Sequence, residues 1–301
     1  MVGRRLDKFL ADAARLGSRG RAADALAKGK VFVNDREAGP DDAARPLRAG
    51  DAVRVWADRP GSARRRSTRT AGDLQILYED SALIVVNKPA GLLVVPLQQR
   101  SEAPSAFGHL EEHLRSRTRR RPLVVHRIDR DTSGIVVFAK NARVQEQLKA
   151  QFERREPERV YWGVVYGHPR PPQGTWRDQL VWDSKRLLQM RAHPHDARKR
   201  EAISHYRVVE VLRGASLMEI RLETGKRNQI RVQARLHGHP IVGERLYAGA
   251  DASPTGIAFS RQALHAHRLA FRHPVDGRPL AFDAPLPADL QELLGRLRGR
   301  A

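Results

Sequence analysis

The chain has 301 residues, 41% of them apolar, a formal net charge of +21 and a pI near 11.2. That length accommodates two domains and a sizeable core, and the absence of cysteine excludes disulfides and thiolate metal sites. No run approaches the roughly 20 apolar residues of a membrane span, and the opening MVGRRLDKFL lacks the apolar centre of a secretory signal. A cytoplasmic protein is the expectation. Arg far outnumbers Lys, and so large a basic surplus suggests a polyanionic partner, most often nucleic acid. Arg- and Ala-rich usage also follows from GC-rich coding sequence, so charge by itself names no reaction. The His pairs in HPH (193–195) and HGH (237–239) lack a helical ligand spacing, and no metal or cofactor is expected.

In chain order, Leu6, Phe9, Leu10 and Ala13 fall at i, i+3, i+4 and i+7, which predicts an amphipathic helix over residues 4–16. Ser18 can cap a second helix ending near Gly29. KVFVND then reads as a strand running into a turn at Asn34 and Asp35, and LRAGDAVRVW as a turn and another strand. PGSARRRSTRTAG, residues 60–72, has no apolar periodicity and four arginines within six positions, the composition of a linker. LQILYED and ALIVVNK are β-rich runs around a turn at Asp80 and Ser81, with PAG marking the next turn. Residues 97–122 read as an irregular loop with a short helix. IVVFAK is a strand, and Asn141 can cap a helix that carries Val144, Leu148 and Phe152 on one face. RVYWGVVYG returns as a strand, AISHYRVVEVL and ASLMEIRLETG as a strand pair, and KRNQIRVQARLHGHPIVGE as a turn and a helix stopping near Gly238. No internal repeat is visible.

The stretch His126 to Gly134, HRIDRDTSG, sets two carboxylates, two guanidiniums, an imidazole and two hydroxyls directly ahead of an apolar strand. A loop of reactive groups held by a rigid strand is suited to chemistry. HRxDxxTSG followed by a strand and AKN resembles the catalytic loop of the RluA-type pseudouridine synthases, which isomerise uridine within RNA. KPAGL at 88–92 is similar to a phrase in the opening of that family, and PERVYWG at 157–163, LETGKRNQIRVQARLHGHPIVGE and the closing ALHAHRLAFRHPVDGRPLAFDAPLPADL are similar to its later motifs. RLDKFL, SRGRAADALAKGKVFVND and LRAGDAVRV, in this order, resemble the alpha-L RNA-binding domain of ribosomal S-four type.

The resemblance implies an α+β fold in which a mixed, largely antiparallel β-sheet catalytic domain with flanking helices (74–301) follows an Arg-rich linker (60–73) and a small α+β RNA-binding domain (1–59). It implies structured RNA, above all ribosomal RNA, as the partner, and a reaction without cofactor. Breaking the bond from ribose to base nitrogen and rejoining at carbon 5 calls for a nucleophile, removal of the carbon 5 proton and a pocket that retains the detached base. By the motifs, Asp129 is the nucleophile, Arg231 its partner cation, and Tyr161 a stacking wall whose hydroxyl could assist proton removal if Arg231 lowers its pKa. Arg127 would fill the space left by a flipped-out base, His126 would shape the loop or touch phosphate, and Ile230 would wall the uracil. Thr132 and Ser133 would brace the loop, and Gly134 and Gly225 would mark tight backbone. Arg4, Lys8, Arg19, Arg21 and Lys28 are the expected RNA contacts of the first domain. The chain departs from the family pattern with Asn228 and Gln233 where His is common, Arg159 where Lys is typical, and no His before Pro96. A non-catalytic RNA-binding protein would explain the charge but not the retained Asp129 and Tyr161. A hydrolytic nucleosidase would need a second carboxylate, for which Asp131 is the nearest candidate.

Overall fold

The computed structural model describes residues 3–34, 36–56, 69–71, 74–96, 103–118, 120–247 and 256–299. The chain divides into two compact units, Met1–Ser67 and Thr68–Ala301. The first contains α1 (Leu6–Leu10), α2 (Arg19–Ala27) and a three-stranded antiparallel sheet of β1 (Val31–Val33), β2 (Arg36–Ala38) and β3 (Val53–Val55), with β1 in the centre. Leu6, Leu10, Ala22, Leu26, Val31 and Val33 form its core. α1 is shorter than the apolar spacing suggests because the Asp12 carboxylate accepts the Ala14 N–H at 3.2 Å, an Asx turn that competes with helical bonding. Ser18 caps α2 by accepting the Arg21 N–H at 3.2 Å. Asn34 turns at φ 51°, while Asp35 lies outside the described residues.

Most of the stretch read as a linker also lies outside the described residues, except that 69–71 form β4 (Arg69–Ala71) rather than linker and pair with β5 (Leu74–Glu79). The second unit is a twelve-stranded sheet with helices against it. After β5 and β6 (Leu83–Lys88) come α3 (Ala106–Thr118), β7 (Leu123–Val124), β8 (Ser133–Ala139), α4 (Ala142–Glu153) and β9 (Glu158–Tyr166). Next are β10 (Gln173–Asp183), β11 (Leu188–Arg191), β12 (Arg200–Leu212), β13 (Ala215–Leu222) and α5 (Gln229–Leu236), and last β14 (Leu264–Arg272), β15 (Pro279–Asp283) and α6 (Ala288–Leu297). The spatial order is β11-β10-β12-β13-β9-β14-β8-β6-β5-β4, with β15 on β14 and β7 on β8. Every pairing is antiparallel except β14 with β8, which run parallel through His265↔Ser133 and Ala266↔Gly134.

β8 is buried along its whole length, and its alternation distributes side chains to two cores. Ile135, Val137 and Ala139 pack with Val144 and Leu148 of α4, whereas Val136 and Phe138 pack with Ala106 and Leu110 of α3. α4 starts where Asn141 Oδ1 accepts the Val144 N–H at 2.9 Å. A third core joins β9, β13 and β14 to α5 and to Leu290, Leu293, Leu294 and Leu297 of α6. Each buried leucine contributes about 2 kcal/mol, which anchors a short terminal helix. The β10–β11 hairpin has no counterpart among the predicted strands: Trp176, Leu180 and Trp182 alternate, but a buried Asp178 interrupts the pattern. Among the described residues, no helix is long and apolar enough to cross a membrane.

Candidate active site

The loop of residues 125–132 leaves β7 and enters β8 at Ser133, and its backbone is gripped from two sides. From β6, the fully buried Lys88 donates from Nζ to the carbonyls of Pro89, Leu92 and Arg130 at 2.8, 2.8 and 2.9 Å. From the segment before β14, Arg261 donates to the Asp131 carbonyl at 3.1 Å and Gln262 to Thr132 Oγ1 at 3.3 Å, and within β14 itself His265 Nδ1 lies 2.9 Å from Ser133 Oγ. Arg261 is itself fixed by a bidentate pair with Asp289 of α6, at 2.7 and 3.0 Å. Gly134 sits at φ 118°, and a Cβ there would collide with the Ala266 backbone, so only glycine lets the loop end run against β14. Thr132 and Ser133 are buried, and their hydroxyls meet the side chains of Gln262 and His265 rather than the backbone partners expected from sequence.

Held this way, Asp129 faces α5. Its Oδ2 accepts from Arg231 Nη1 at 3.0 Å. The opposite edge of the same guanidinium makes a bidentate pair with Glu244, at 2.6 and 2.7 Å from Nε and Nη2. Burial alone would raise the Glu244 pKa, but the Arg231 hydrogen bonds and charge outweigh it and hold Glu244 below the usual carboxylate range. Arg231, although buried, is raised above its ordinary value by its two acids. Asn228, at φ 52° ahead of α5, orients its amide by the surrounding donors and acceptors: its nitrogen donates to both Asp129 oxygens, at 2.8 and 3.0 Å, and its oxygen accepts from the Tyr247 hydroxyl at 3.0 Å. Asp129 therefore has fixed donors and keeps 27% of its side-chain surface open.

That open edge faces a cavity of about 1510 Å³, lined also by Arg127, Tyr161, Ile230 and Arg231. Its volume exceeds the usual small-ligand range and suits a segment of polymer. Tyr161 comes from β9, and burial, with the Asp129 charge adding, pushes its phenol up to about 12 against the opposing Arg159. The shift runs opposite to the lowering by Arg231 on which a base role for the hydroxyl depended. Ile230 is buried at the cavity wall. Arg127 is exposed at the rim and makes no ion pair among the described residues. His126 turns inward: Nε2 accepts the Val137 N–H at 3.2 Å, the ring stacks on Phe152 at 4.6 Å, and burial keeps it neutral with a pKa near 3. Of its two expected roles, loop shaping fits this geometry and charge-based phosphate contact does not. Asp131 is taken by Arg130 through two 3.0 Å bonds and is held below its ordinary pKa by them.

Residues 82–236 match the model of the family described as RNA pseudouridylate synthase. The chain belongs to that family. Accordingly it is an RNA pseudouridine synthase, an isomerase acting on RNA, of the RluA type. Ribosomal large subunit pseudouridine synthase D of Zymomonas mobilis is 36% identical over 99% of this chain and 95% of its own length. The protein of the same name from Xanthomonas campestris is 35% identical over 99% and 90%. Among solved structures, human RNA pseudouridylate synthase domain containing 4 superposes with a TM-score of 0.61 at 22% identity, over 74% of this chain and 92% of that one, a likeness of fold. Within the synthase site, Tyr247 and Arg261 have no signal in the sequence, and Lys88 and Glu244 lie inside the quoted motifs KPAGL and LETGKRNQIRVQARLHGHPIVGE without being singled out there, because single polar residues carry no periodicity that marks them as buried. Asn228 stands out in the sequence only as a departure from the family pattern, which gives no hint of its bond to Asp129.

The five basic residues expected to meet RNA all lie exposed in the first unit. Arg4 pairs with Asp12 at 3.3 Å and Lys28 with Asp24 at 2.7 Å, whereas Lys8, Arg19 and Arg21 have no ion pair among the described residues.

Proposed function

We propose that this synthase converts uridine to pseudouridine in large-subunit ribosomal RNA, with Asp129 as the nucleophile acting on a uridine flipped out of the RNA. The observation that carries the reading is the Asp129 carboxylate, hydrogen-bonded to Arg231 at 3.0 Å and open on its other edge to the large cavity. The guanidinium gives the carboxylate a fixed, charged hydrogen-bond donor on one edge and leaves the other edge to the substrate. The glycosidic bond breaks, the carboxylate traps one fragment, the base turns and rejoins through carbon 5, and the bond to the carboxylate is released. The carbon 5 proton is lost while the freed base nitrogen takes one up, so the product is an isomer and Asp129 is regenerated. Tyr161 stacks on the uracil and Ile230 walls it, so the detached base stays in place. Arg127, exposed and without a carboxylate partner among the described residues, takes the vacated place in the RNA stack, where a planar cation offsets part of the few kcal/mol that flipping costs. Hydrolysis in place of isomerisation would need a second free carboxylate, and Asp131 is committed to Arg130. The ribosomal target follows the names of the relatives, and the first unit would add grip on structured RNA through Lys8, Arg19 and Arg21, with Arg4 and Lys28 as further contacts.

The test is Asp129→Asn with pseudouridine mapping. Ribosomal RNA from cells lacking the gene should gain pseudouridine at defined positions with the wild-type chain and none with the variant, while both bind that RNA with similar affinity. Turnover by Asp129→Asn would remove Asp129 as nucleophile, and modification confined to transfer RNA would move the target.

A further inference from the structure

The rim of the cavity carries aromatic and apolar surface that the reaction above leaves unused. Trp182 lies near the end of β10, on the same face of the strand as Trp176 six residues earlier. Trp176 is 3% exposed and belongs to the core, whereas Trp182 is only half-buried and lines the cavity. The Arg227 guanidinium carbon stands 4.1 Å from the centroid of the Trp182 ring, a cation–π pair between two elements. Arg227 is exposed and has no carboxylate partner among the described residues. Beside them, at the tip of the β10–β11 hairpin, Leu187 is 66% exposed and holds φ 54°. A bulky side chain rarely adopts that conformation without a reason. Arg227 also adjoins Asn228, whose amide donates to both oxygens of Asp129. The pair therefore stands one residue along the chain from a ligand of the nucleophile.

We infer that Trp182, with Arg227 laid over it, forms a stacking subsite for the base of a nucleotide adjoining the target uridine. The inference rests on the reading that Asp129 acts on uridine within RNA. Indole faces and guanidinium planes are the surfaces on which unstacked bases settle, and such stacking tolerates any base. Arg227 can meanwhile bond a phosphate from its edge. A uridine leaving its stack exposes the faces of its neighbours, and a platform at the rim receives one of them. The exposed Leu187 adds apolar contact at the same rim.

Trp182→Leu retains apolar volume without a π face, and Trp182→Phe retains a ring. In full-length protein, Trp182→Leu should weaken binding of an oligouridylate about ten nucleotides long by about tenfold, while Trp182→Phe stays within about threefold of wild type. The slope of log Kd against log salt should be unchanged in both, since no phosphate contact is removed. Wild-type affinity in Trp182→Leu, or equal losses in the two variants, would overturn the subsite. Its position is tested with RNA carrying an abasic residue on either side of the modified uridine. One such RNA should raise KM for the wild type and leave Trp182→Leu unaffected, and an equal penalty in both proteins would place the stacked base elsewhere and overturn the assignment. Pseudouridine formed by the wild type on the unaltered RNA reports separately on the reading itself: ring-dependent binding without product would end that reading and leave the stacking surface standing.

Discussion

Arg231 reaches two acids with opposite edges of one guanidinium, and the arrangement gives each acid a different task. Glu244 is buried to 1% of its side-chain surface and anchors the cation, while Asp129 remains partly open and able to react. Arg fits this duty because its planar fork offers two separate bonding edges, which a lysine lacks. Lys88 shows the complementary use of an amino group, whose nitrogen lies within bonding distance of three carbonyls and meets all three only while protonated. Burial pulls its pKa down to about 7, assisted by Arg261 and opposed by Asp131 and Asp129. An unfolded lysine holds its proton to about 10.4. Between those values the unfolded chain binds the extra proton, so stability rises with pH across that window, by up to about 1.4 kcal/mol per pH unit. Urea denaturation at about pH 7.5 and about pH 9.5 should show this gain in the wild type relative to Lys88→Met; parallel behaviour of the two proteins would refute the depressed value. At this scale the candidates were legible as motifs, Asp129 in the contiguous string HRIDRDTSG, and Tyr161 and Arg231 in PERVYWG and LETGKRNQIRVQARLHGHPIVGE. The support they receive was not, since Glu244 and Lys88 lie inside quoted motifs but act through tertiary contacts that local sequence does not encode.

Elements matter here for how they seat α5. Gln233 is fully buried and ties the helix to β10 and β12: Nε2 lies within bonding distance of the Trp176 carbonyl, Asp178 and the Ala202 carbonyl, and Oε1 accepts from Ser204 at 2.7 Å. Gln229 continues the network to Thr224, Ser204 and the Ile203 carbonyl. With those two on one face of the helix, Arg231 between them is turned toward Asp129. Gln233→Ala would remove one partner each from Asp178, which keeps His237 and Arg191, and from Ser204, which keeps Gln229. It would also leave the buried Trp176 and Ala202 carbonyls without this donor, for a cost of about 1–3 kcal/mol in all. Thermal denaturation should register that loss, and activity below the melting point should fall with it. A variant within about 0.5 kcal/mol of wild type would mean that the network does not seat the helix. The same network explains why β10 is hidden in the sequence while β8, β9, β12 and β13 are legible there. Continuous runs such as IVVF announce strands buried on both faces, whereas a buried Asp178 resembles a turn residue until its partners on α5 are known.

For the whole molecule, the surplus of +21 is a statement about partners rather than about fold. If the first unit grips RNA through phosphates, removing residues 1–67 should weaken binding to structured RNA and flatten the salt dependence by about one unit of slope for each phosphate no longer neutralised. An unchanged slope would leave the second unit as the sole electrostatic footprint. Composition and motifs were sufficient to anticipate an α+β chain built on a largely antiparallel sheet. They could not reveal that the sheet is two antiparallel halves joined by one short parallel ladder, because strand partners more than a hundred residues apart leave no local trace.

That ladder, two residue pairs between β8 and β14, has a consequence in time. Each half of the sheet is made largely of hairpins and neighbouring strands, whose ends meet early in folding at small entropic cost. Ser133 and His265 are 132 residues apart, and Asp129 and Arg231 are 102 apart. The pocket thus comes into being only when the halves close on each other. On dilution from denaturant, synthase activity is expected to return with the slowest refolding phase, after far-ultraviolet circular dichroism has largely recovered. Activity arriving with the first phase would mean that the seam leads the folding of this chain rather than completing it.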